Sequence, residues 1–278
     1  MNFLSYREIL VASATLCGHP MPIFHRSIFV TNRRNTSKVS SFRYTFAAHP
    51  KAVRRHNINP WELPNYTIEE AGRWLHVPLS TMHYWVIGEA NLAPLTTVYS
   101  RRPILLSFKN LVECFVLEGL RNTHGISLQA IRRSVEDLRL TNKSKYPLAD
   151  CQLCTLGDTV YMANNDEPLI KLASHGQQGF KEILDPFLKR VERNTVGMAK
   201  ILFPFTSKQH MRTPTTAPRS VVIDPNVSFG MPVLVNSRIS TAFLLSRKKG
   251  GASVPQLAAD YGRSEAEIEE ALELEKAA

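Results

Sequence analysis

The spacing of apolar residues predicts a chain built mainly of short helices. In residues 67–86, TIEEAGRWLHVPLSTMHYWV, two runs of helical spacing flank the stretch HVPLS, whose proline disfavours helix in the residue before it. The apolar positions that share one face are Ile68, Ala71 and Leu75 in the first run and Met82, Trp85 and Val86 in the second. The polar residues left on the opposite side of the second run are Ser80, Thr81, His83 and Tyr84. Two helices joined by a turn are therefore expected here.

One capping pattern marks three helix starts. In a capping box, a Ser or Thr side chain and the Glu or Gln side chain three residues later each accept a hydrogen bond from the other residue's backbone N–H. The three matches are Thr67 with Glu70, Ser253 with Gln256 and Ser264 with Glu267. Together with the apolar spacing they predict helices from about 68, at 254–261 and at 264–276, and a further helix is predicted at 240–248.

The middle of the chain mixes helical and strand patterns. Residues 94–106, PLTTVYSRRPILL, suit a short two-stranded wing or a loop. Helices are predicted over 107–122, 126–140 and 177–193. In QLCTLGDTVYMA, the Gly157-Asp158 pair predicts a hairpin turn. The predicted fold class is mainly α with a small central β-hairpin, a winged helix-turn-helix toward the N-terminus and a three-helix, helix-turn-helix-like domain at the C-terminus.

These elements predict five regions. They are a basic, disordered extension at 1–60, a helix-turn-helix domain at 61–145, a small hairpin-plus-helix region at 146–203, a linker at 204–219 and a C-terminal three-helix domain at 220–278. The linker assignment rests on the stretch PFTSKQHMRTPTTAPRS, which is rich in proline and threonine.

The net charge of +10 is concentrated at the N-terminus. The basic residues of 1–56 are Arg7, Arg26, Arg33, Arg34, Lys38, Arg43, Lys51, Arg54 and Arg55, against the single acid Glu8. Residues 57–278 hold 25 of the 34 basic and 23 of the 24 acidic residues, a net of only +2. The extension has the composition of an organelle presequence. A phosphate-binding arm and a dispensable tail are the alternatives, and the dispensable tail is favoured.

Catalytic and metal-binding motifs are not found in the sequence. It contains no G-x-S-x-G, P-loop, G-x-G-x-x-G or H-E-x-x-H. Cys151 and Cys154 form a C-x-x-C without the second ligand pair of a zinc site, and His76 and His83 have no carboxylate or thiol close in sequence. We therefore expect no enzyme activity, no cofactor and no metal.

The cysteine count and the hydropathy predict where the protein is found. The four cysteines are too few for a disulfide framework, and no apolar run reaches the roughly 18–20 residues of a membrane span. A cytoplasmic protein without membrane contact is therefore expected.

The residues alone leave two interpretations of the two-helix unit. It is either a helix-turn-helix whose second helix enters the DNA major groove or a structural helical pair. In the first case the DNA-binding residues would be Arg73, Ser80, Thr81, His83, Tyr84, Arg101 and Arg102, with the arginines contacting phosphates. The second helix itself has no Lys or Arg.

A family resemblance adds to these patterns. The stretch YTIEEAGRWLHVPLSTMHYWVIGE resembles the helix-turn-helix of MerR-like proteins, and the segments at 106–138 and 168–193 are similar to later regions of a VapB-type antitoxin subfamily with such a head. The segment that begins VVIDPNVSFGMPVLVNSRIS resembles a small antitoxin-associated domain, formerly of unknown function. The positions that carry this match are Asp224, Pro225, Gly230, Pro232, Arg238, Ile239, Leu257 and Tyr261. The resemblance covers about residues 60–275.

The resemblance implies a type II antitoxin that neutralises a PIN-like ribonuclease toxin and binds operator DNA to repress its own operon, as a homo-oligomer. Where the family places an arginine in the recognition helix, this chain has His83 or Tyr84. The last helix is acidic, so Glu269 and Glu273, with Arg238, are expected to contact the toxin. A stand-alone MerR-like regulator and an interaction scaffold that does not bind DNA are the alternatives.

Overall fold

Helices make up most of the regular structure, which confirms the mainly α fold class. The computed structural model describes residues 59–89, 92–98, 100–101, 103–122, 128–150, 153–156, 159–162, 165–171 and 186–276. Residues 1–58 of the predicted extension and Cys151 lie outside these residues, and so does the side chain of Cys154. Residues 54–278 cluster as one unit.

Helices α1 (Ile68–Leu75) and α2 (Leu79–Val86) form the predicted two-helix unit. The capping box at the start of α1 is confirmed, because the Glu70 N–H donates to Thr67 Oγ1 at 3.2 Å and the Thr67 N–H donates to Glu70 Oε2 at 3.1 Å. His76 ends α1 in the left-handed conformation, with φ of 57°. The apolar positions predicted to share a core are all buried: Ile68, Ala71, Leu75, Met82, Trp85 and Val86.

A small hairpin leads from this unit into the central helix. Its strands are β1 (Ser100–Arg101) and β2 (Ile104–Leu105), which pair antiparallel. Helix α3 (Phe108–Asn122) follows and is buried over most of its length. Helix α4 (Leu128–Asn142) and the short α5 (Pro147–Asp150) come next.

The middle region contains more strands than predicted. Strands β3 (Leu153–Leu156) and β4 (Thr159–Met162) pair antiparallel with Leu156 opposite Thr159, as the predicted hairpin requires, and residues 157 and 158 lie outside the described part. Strand β5 (Asn165–Lys171) adds a third antiparallel strand. Strands β6 (Val191–Arg193) and β7 (Ala199–Leu202) form a separate hairpin. The helix predicted to end at 193 is therefore wrong at its end, since β-branched Val191 begins a strand; residues 177–185 lie outside the described part.

The segment predicted as a linker, 204–219, is packed against the rest of the chain. It contains the short α6 (Lys208–Arg212) and the buried residues Phe205 and Thr206. The Phe205 ring lies 4.9 Å from that of Phe187. The prediction of a linker used the amino-acid composition alone. The segment packs because its apolar Phe205 side chain is buried against Phe187.

The buried Arg190 binds backbone carbonyls at both ends of this segment. The Arg190 guanidinium donates to the carbonyls of Phe203 and Pro204, both at 3.2 Å, and to those of Ala217 at 2.9 Å and Pro218 at 2.6 Å. It also lies 4.1 Å from the centre of the Phe205 ring. Burial and the nearby Arg219 lower the pKa of Arg190 to about 10.

The C-terminal region has the three predicted helices, each within one residue of its predicted bounds. They are α7 (Thr241–Lys249), α8 (Val254–Tyr261) and α9 (Glu265–Lys276), and they follow the paired strands β8 (Val221–Val222) and β9 (Val233–Leu234). The capping box at Ser264 and Glu267 is confirmed, because the two residues bond reciprocally. At Ser253, the Oγ accepts from the Gln256 N–H, which is one of the two hydrogen bonds of the predicted box.

The C-terminal region holds α1 near both of its ends. Before α1, Tyr66 Oη donates to the Gly230 carbonyl at 2.9 Å and Asn65 Nδ2 to the Phe229 carbonyl at 2.5 Å. In the last turn of α1, Arg73 Nη2 lies 3.6 Å from Glu275 Oε2 of α9. The two predicted terminal regions thus share an interface along α1.

Among the described residues, no helix has both the length and the apolar character to cross a membrane.

Candidate functional site

The side of α2 that faces away from the core carries the predicted DNA-binding residues that belong to this helix. At about 100° per residue, the side chains opposite the buried Met82, Trp85 and Val86 are Ser80, His83, Tyr84 and Ile87. Leu79 lies at the border next to Val86 but is exposed at the first position of the helix, and we call these five residues the outer face of α2. Leu79 is 45% exposed and Ile87 40%. Ser80 is exposed, whereas His83, Tyr84 and the bordering Thr81 are half-buried.

An arginine from α4 lies beside this face. The Arg132 guanidinium is 5.0 Å from the centre of the Tyr84 ring, and its Nη1 donates to the Ala93 carbonyl. A cation over an aromatic face is attracted by the ring quadrupole, so Arg132 fixes the orientation of Tyr84. Arg132 was not predicted as a site residue, because it lies 48 positions from Tyr84 and only the fold brings the two together.

The hairpin β1–β2 is anchored to the two-helix unit on both sides. Before it, the Leu95 N–H donates to the Trp85 carbonyl at 2.7 Å. After it, the Leu106 N–H donates to the Tyr66 carbonyl at 2.7 Å. Arg101 belongs to β1, but its side chain and the whole of Arg102 lie outside the described residues. Their contact with phosphate therefore stays a prediction.

A buried polar network supports the segment that precedes the hairpin. Glu113 of α3 accepts hydrogen bonds from Thr96 Oγ1 and, at 3.3 Å, from the Leu148 N–H. Asn110 Nδ2 donates to Thr96 Oγ1 at 2.8 Å and to the Thr97 carbonyl at 2.9 Å. Burial raises the pKa of Glu113 to about 8, although the Thr96 hydroxyl favours its charged form.

This raised pKa predicts a pH dependence of stability. Between the ordinary glutamate pKa and about 8, the folded state holds a proton on Glu113 that the unfolded state has released. The contribution of Glu113 to stability is therefore greatest at low pH and falls as pH rises through this window. One unit of pKa difference corresponds to about 1.4 kcal/mol, so the loss between pH 5.5 and 8.5 should exceed that value.

Glu113→Gln should flatten this pH dependence, because an amide resembles the protonated acid in shape and neutrality. Urea unfolding of the chain and of the variant at both pH values measures the difference. Parallel pH profiles for the two proteins would contradict the assignment to Glu113.

Arg73 occupies a different place from the other predicted DNA-binding residues. Its guanidinium faces Glu275, which is buried and also accepts from Thr241 Oγ1 at 2.6 Å. A buried carboxylate needs such partners. Arg73 therefore has a structural contact that the sequence did not indicate, and the structure does not group it with the outer face of α2.

The acidic helix α9 presents only part of its charge to solvent. Glu265, Glu269 and Glu273 are exposed, but Glu275 is buried. Glu270 is half-buried, where it accepts from Thr206 Oγ1 and lies 3.6 Å from His210 Nδ1. The remaining predicted partner residue, Arg238, is exposed on the loop between β9 and α7. Exposure fits the predicted role of Glu269, Glu273 and Arg238, which stays a prediction.

A polar cleft of about 420 Å³ lies near α5. Among the lysines that line this cleft, Lys109 is buried, and its Nζ lies 2.9 Å from Glu62 Oε1 and 3.0 Å from Asp150 Oδ1. Because two carboxylates pair with this ammonium group, Lys109 has a structural role. In the described part of the chain, no group of three His, Cys, Asp or Glu side chains could hold a metal ion.

Comparison with known proteins finds relatives of the C-terminal region and of most of the chain. Residues 221–274 match the family described as protein of unknown function (DUF433). A protein of Mycobacterium tuberculosis (strain ATCC 25618 / H37Rv) named "Putative antitoxin VapB45" is 27% identical over 236 residues, which cover 77% of this chain and 94% of that protein. The resemblance to a VapB-type antitoxin is confirmed.

A solved structure extends this relationship to the fold. The X-ray crystal structure of Rv2018 from Mycobacterium tuberculosis has a TM-score of 0.56 and 26% identity with this chain. The match covers 76% of this chain and 99% of that one. The exposed acidic residues of α9 lie within the DUF433 segment, and the turn that contacts Tyr66 does too.

Proposed function

We propose that the chain is the antitoxin of a type II toxin–antitoxin system, which binds and neutralises a PIN-like ribonuclease and binds operator DNA to repress its own expression. The proposal rests mainly on one observation: the match to a relative named as an antitoxin covers 94% of that relative and is not confined to one domain. Two separate exposed surfaces support the two activities: the outer face of α2 and the acidic side of α9.

The outer face of α2 fits the operator-binding role. An eight-residue helix with a polar exposed side, held across a partner helix, is the arrangement that enters the major groove. The helix contains no acidic residue that would repel phosphate. The hairpin that follows carries Arg101 and Arg102, which would grip the DNA backbone from one side.

The acidic side of α9 fits the toxin-binding role. Glu265, Glu269 and Glu273 lie on exposed positions of one helix and would repel nucleic acid. They would attract the basic surface with which a ribonuclease holds RNA. Such complementary charges raise association rates in a salt-dependent way.

A reciprocal pair of full-length variants separates the two roles. Glu269→Lys with Glu273→Lys should slow association with a PIN-like ribonuclease encoded beside the gene about tenfold or more at low salt, and should reduce rescue of growth, while DNA binding is kept. Arg101→Ala with Arg102→Ala should keep neutralisation and lower the salt slope of DNA binding by about one to two. Point variants are needed because α9 packs on α1, so its deletion would also expose the two-helix unit.

Glu136→Lys with Asp137→Lys is the control, since it makes the same change of net charge on exposed positions of α4. If this control lost toxin binding equally, the slower association of the α9 variant would be explained by the change of net charge and not by the position of the two glutamates. Full neutralisation by the α9 variant would place the toxin surface elsewhere, and DNA binding with no ribonuclease partner would favour a stand-alone regulator.

A further inference from the structure

The outer face of α2 has a composition that restricts the DNA it can read. The helix Leu79–Val86 contains no Arg, Lys, Asn or Gln. These four side chains supply the bidentate hydrogen bonds that select guanine or adenine in the major groove. Arg132, the described cation beside this face, is engaged by the Tyr84 ring and the Ala93 carbonyl.

Apolar side chains occupy the two ends of this face. Leu79 and Ile87 are 45% and 40% exposed, and they lie eight positions apart, at the first residue of the helix and at its C-cap. They lie about 80° apart around the axis and about 12 Å apart along it. That distance equals about three to four base pairs at 3.4 Å each. Between them, Ser80 and His83 offer single hydrogen-bonding groups that tolerate more than one base.

The chemical partner of an exposed aliphatic side chain in the major groove is the C5-methyl group of thymine, which no other DNA base carries. We infer that the outer face of α2 reads A·T-rich operator half-sites through thymine methyl groups contacted by Leu79 and Ile87. This inference rests on the proposed operator binding and names its sequence class.

The test uses full-length protein and a randomised duplex library. Selected duplexes should be rich in A·T pairs, and replacing thymine by deoxyuridine in a selected duplex removes only methyl groups. Affinity should fall about fourfold for each methyl group whose contact is lost, as burial of one such group predicts. A selected site rich in G·C pairs, or equal affinity for the thymine and deoxyuridine duplexes, would overturn the inference while leaving operator binding intact.

A double-mutant cycle between protein and DNA tests whether Leu79 and Ile87 are the side chains that contact the methyl groups. In Leu79→Ala with Ile87→Ala, the deoxyuridine penalty should disappear, because the partner of the methyl group is gone. Leu140→Ala, which truncates an exposed leucine of α4, should retain the full penalty. A penalty that persists in the double variant would show that other side chains contact the methyl groups.

Two further results separate the remaining explanations. If no duplex is enriched at low salt, the operator-binding part of the proposed function fails together with the inference. If the double variant instead changes the sedimentation coefficient of the free protein, Leu79 and Ile87 join two copies of the chain and do not face DNA.

Discussion

Replacing Arg190 with alanine should lower the free energy of unfolding by about 3–5 kcal/mol. Arg190 is 1% exposed, and its guanidinium satisfies four backbone carbonyls, those of the buried Phe203 and Pro204 after β7 and those of two half-buried residues near the end of the 204–219 segment. Each buried carbonyl left without a donor costs about 1–3 kcal/mol, and the stacking on Phe205 is lost as well. Urea unfolding monitored by circular dichroism measures the change.

Arg219→Ala is the matched control for Arg190→Ala. Arg219 is exposed and donates to one carbonyl, that of Lys189, at 3.2 Å. Its loss should cost less than about 1 kcal/mol. Arg190→Lys should fall between the two, because an ammonium group cannot reach four carbonyls in the planar geometry of a guanidinium. Equal stability of the two alanine variants would contradict the role given to Arg190.

Replacing Gly230 with alanine should lower the free energy of unfolding by about 2–4 kcal/mol. The φ of Gly230 is 75°, which costs a residue with a Cβ about 1–2 kcal/mol. A Cβ there would also lie 2.4 Å from Tyr66 Oη, so the turn and the residue before α1 would have to separate. Thermal and urea unfolding of the variant measure both costs together.

Two further variants separate the backbone cost of Gly230→Ala from the cost of its clash with Tyr66. Gly262→Ala introduces a Cβ at φ of 61° with no atom within 4 Å, so it reports the backbone term alone. Adding Tyr66→Phe to Gly230→Ala removes the clashing oxygen, so the double variant should lose less stability than the two single variants summed. Strict additivity would mean that the turn does not rest on Tyr66.

Local signals were sufficient for the helices whose caps lie in the sequence. The C-terminal helices α7 to α9 begin and end within one residue of their predicted bounds. The apolar positions of α1 and α2 are buried as their spacing indicates. Capping and periodicity depend on residues three or four apart, so a single sequence contains them.

Contacts between distant residues could not be predicted in this way. The proline-rich 204–219 segment has a linker's composition, but Arg190 and the Phe205 ring fix it in the fold. Glu275 belongs to the acidic last helix, but Arg73 and Thr241 pair with it in a buried position. Of the candidate site, the exposed side of α2 follows from helical spacing, whereas Arg132 is placed beside it by the packing of α4.

The contacts on both ends of α1 have a consequence for how such chains can be recombined. Gly230 lies in the DUF433 segment and Glu275 directly follows it, whereas their partners Tyr66 and Arg73 lie about 160 and 200 positions earlier. A hybrid that joins the first part of this chain to the C-terminal segment of a relative would bring together two surfaces shaped for other partners. Exchange of the C-terminal segment between relatives therefore requires that Tyr66 and Arg73 be transplanted with the residues that they contact.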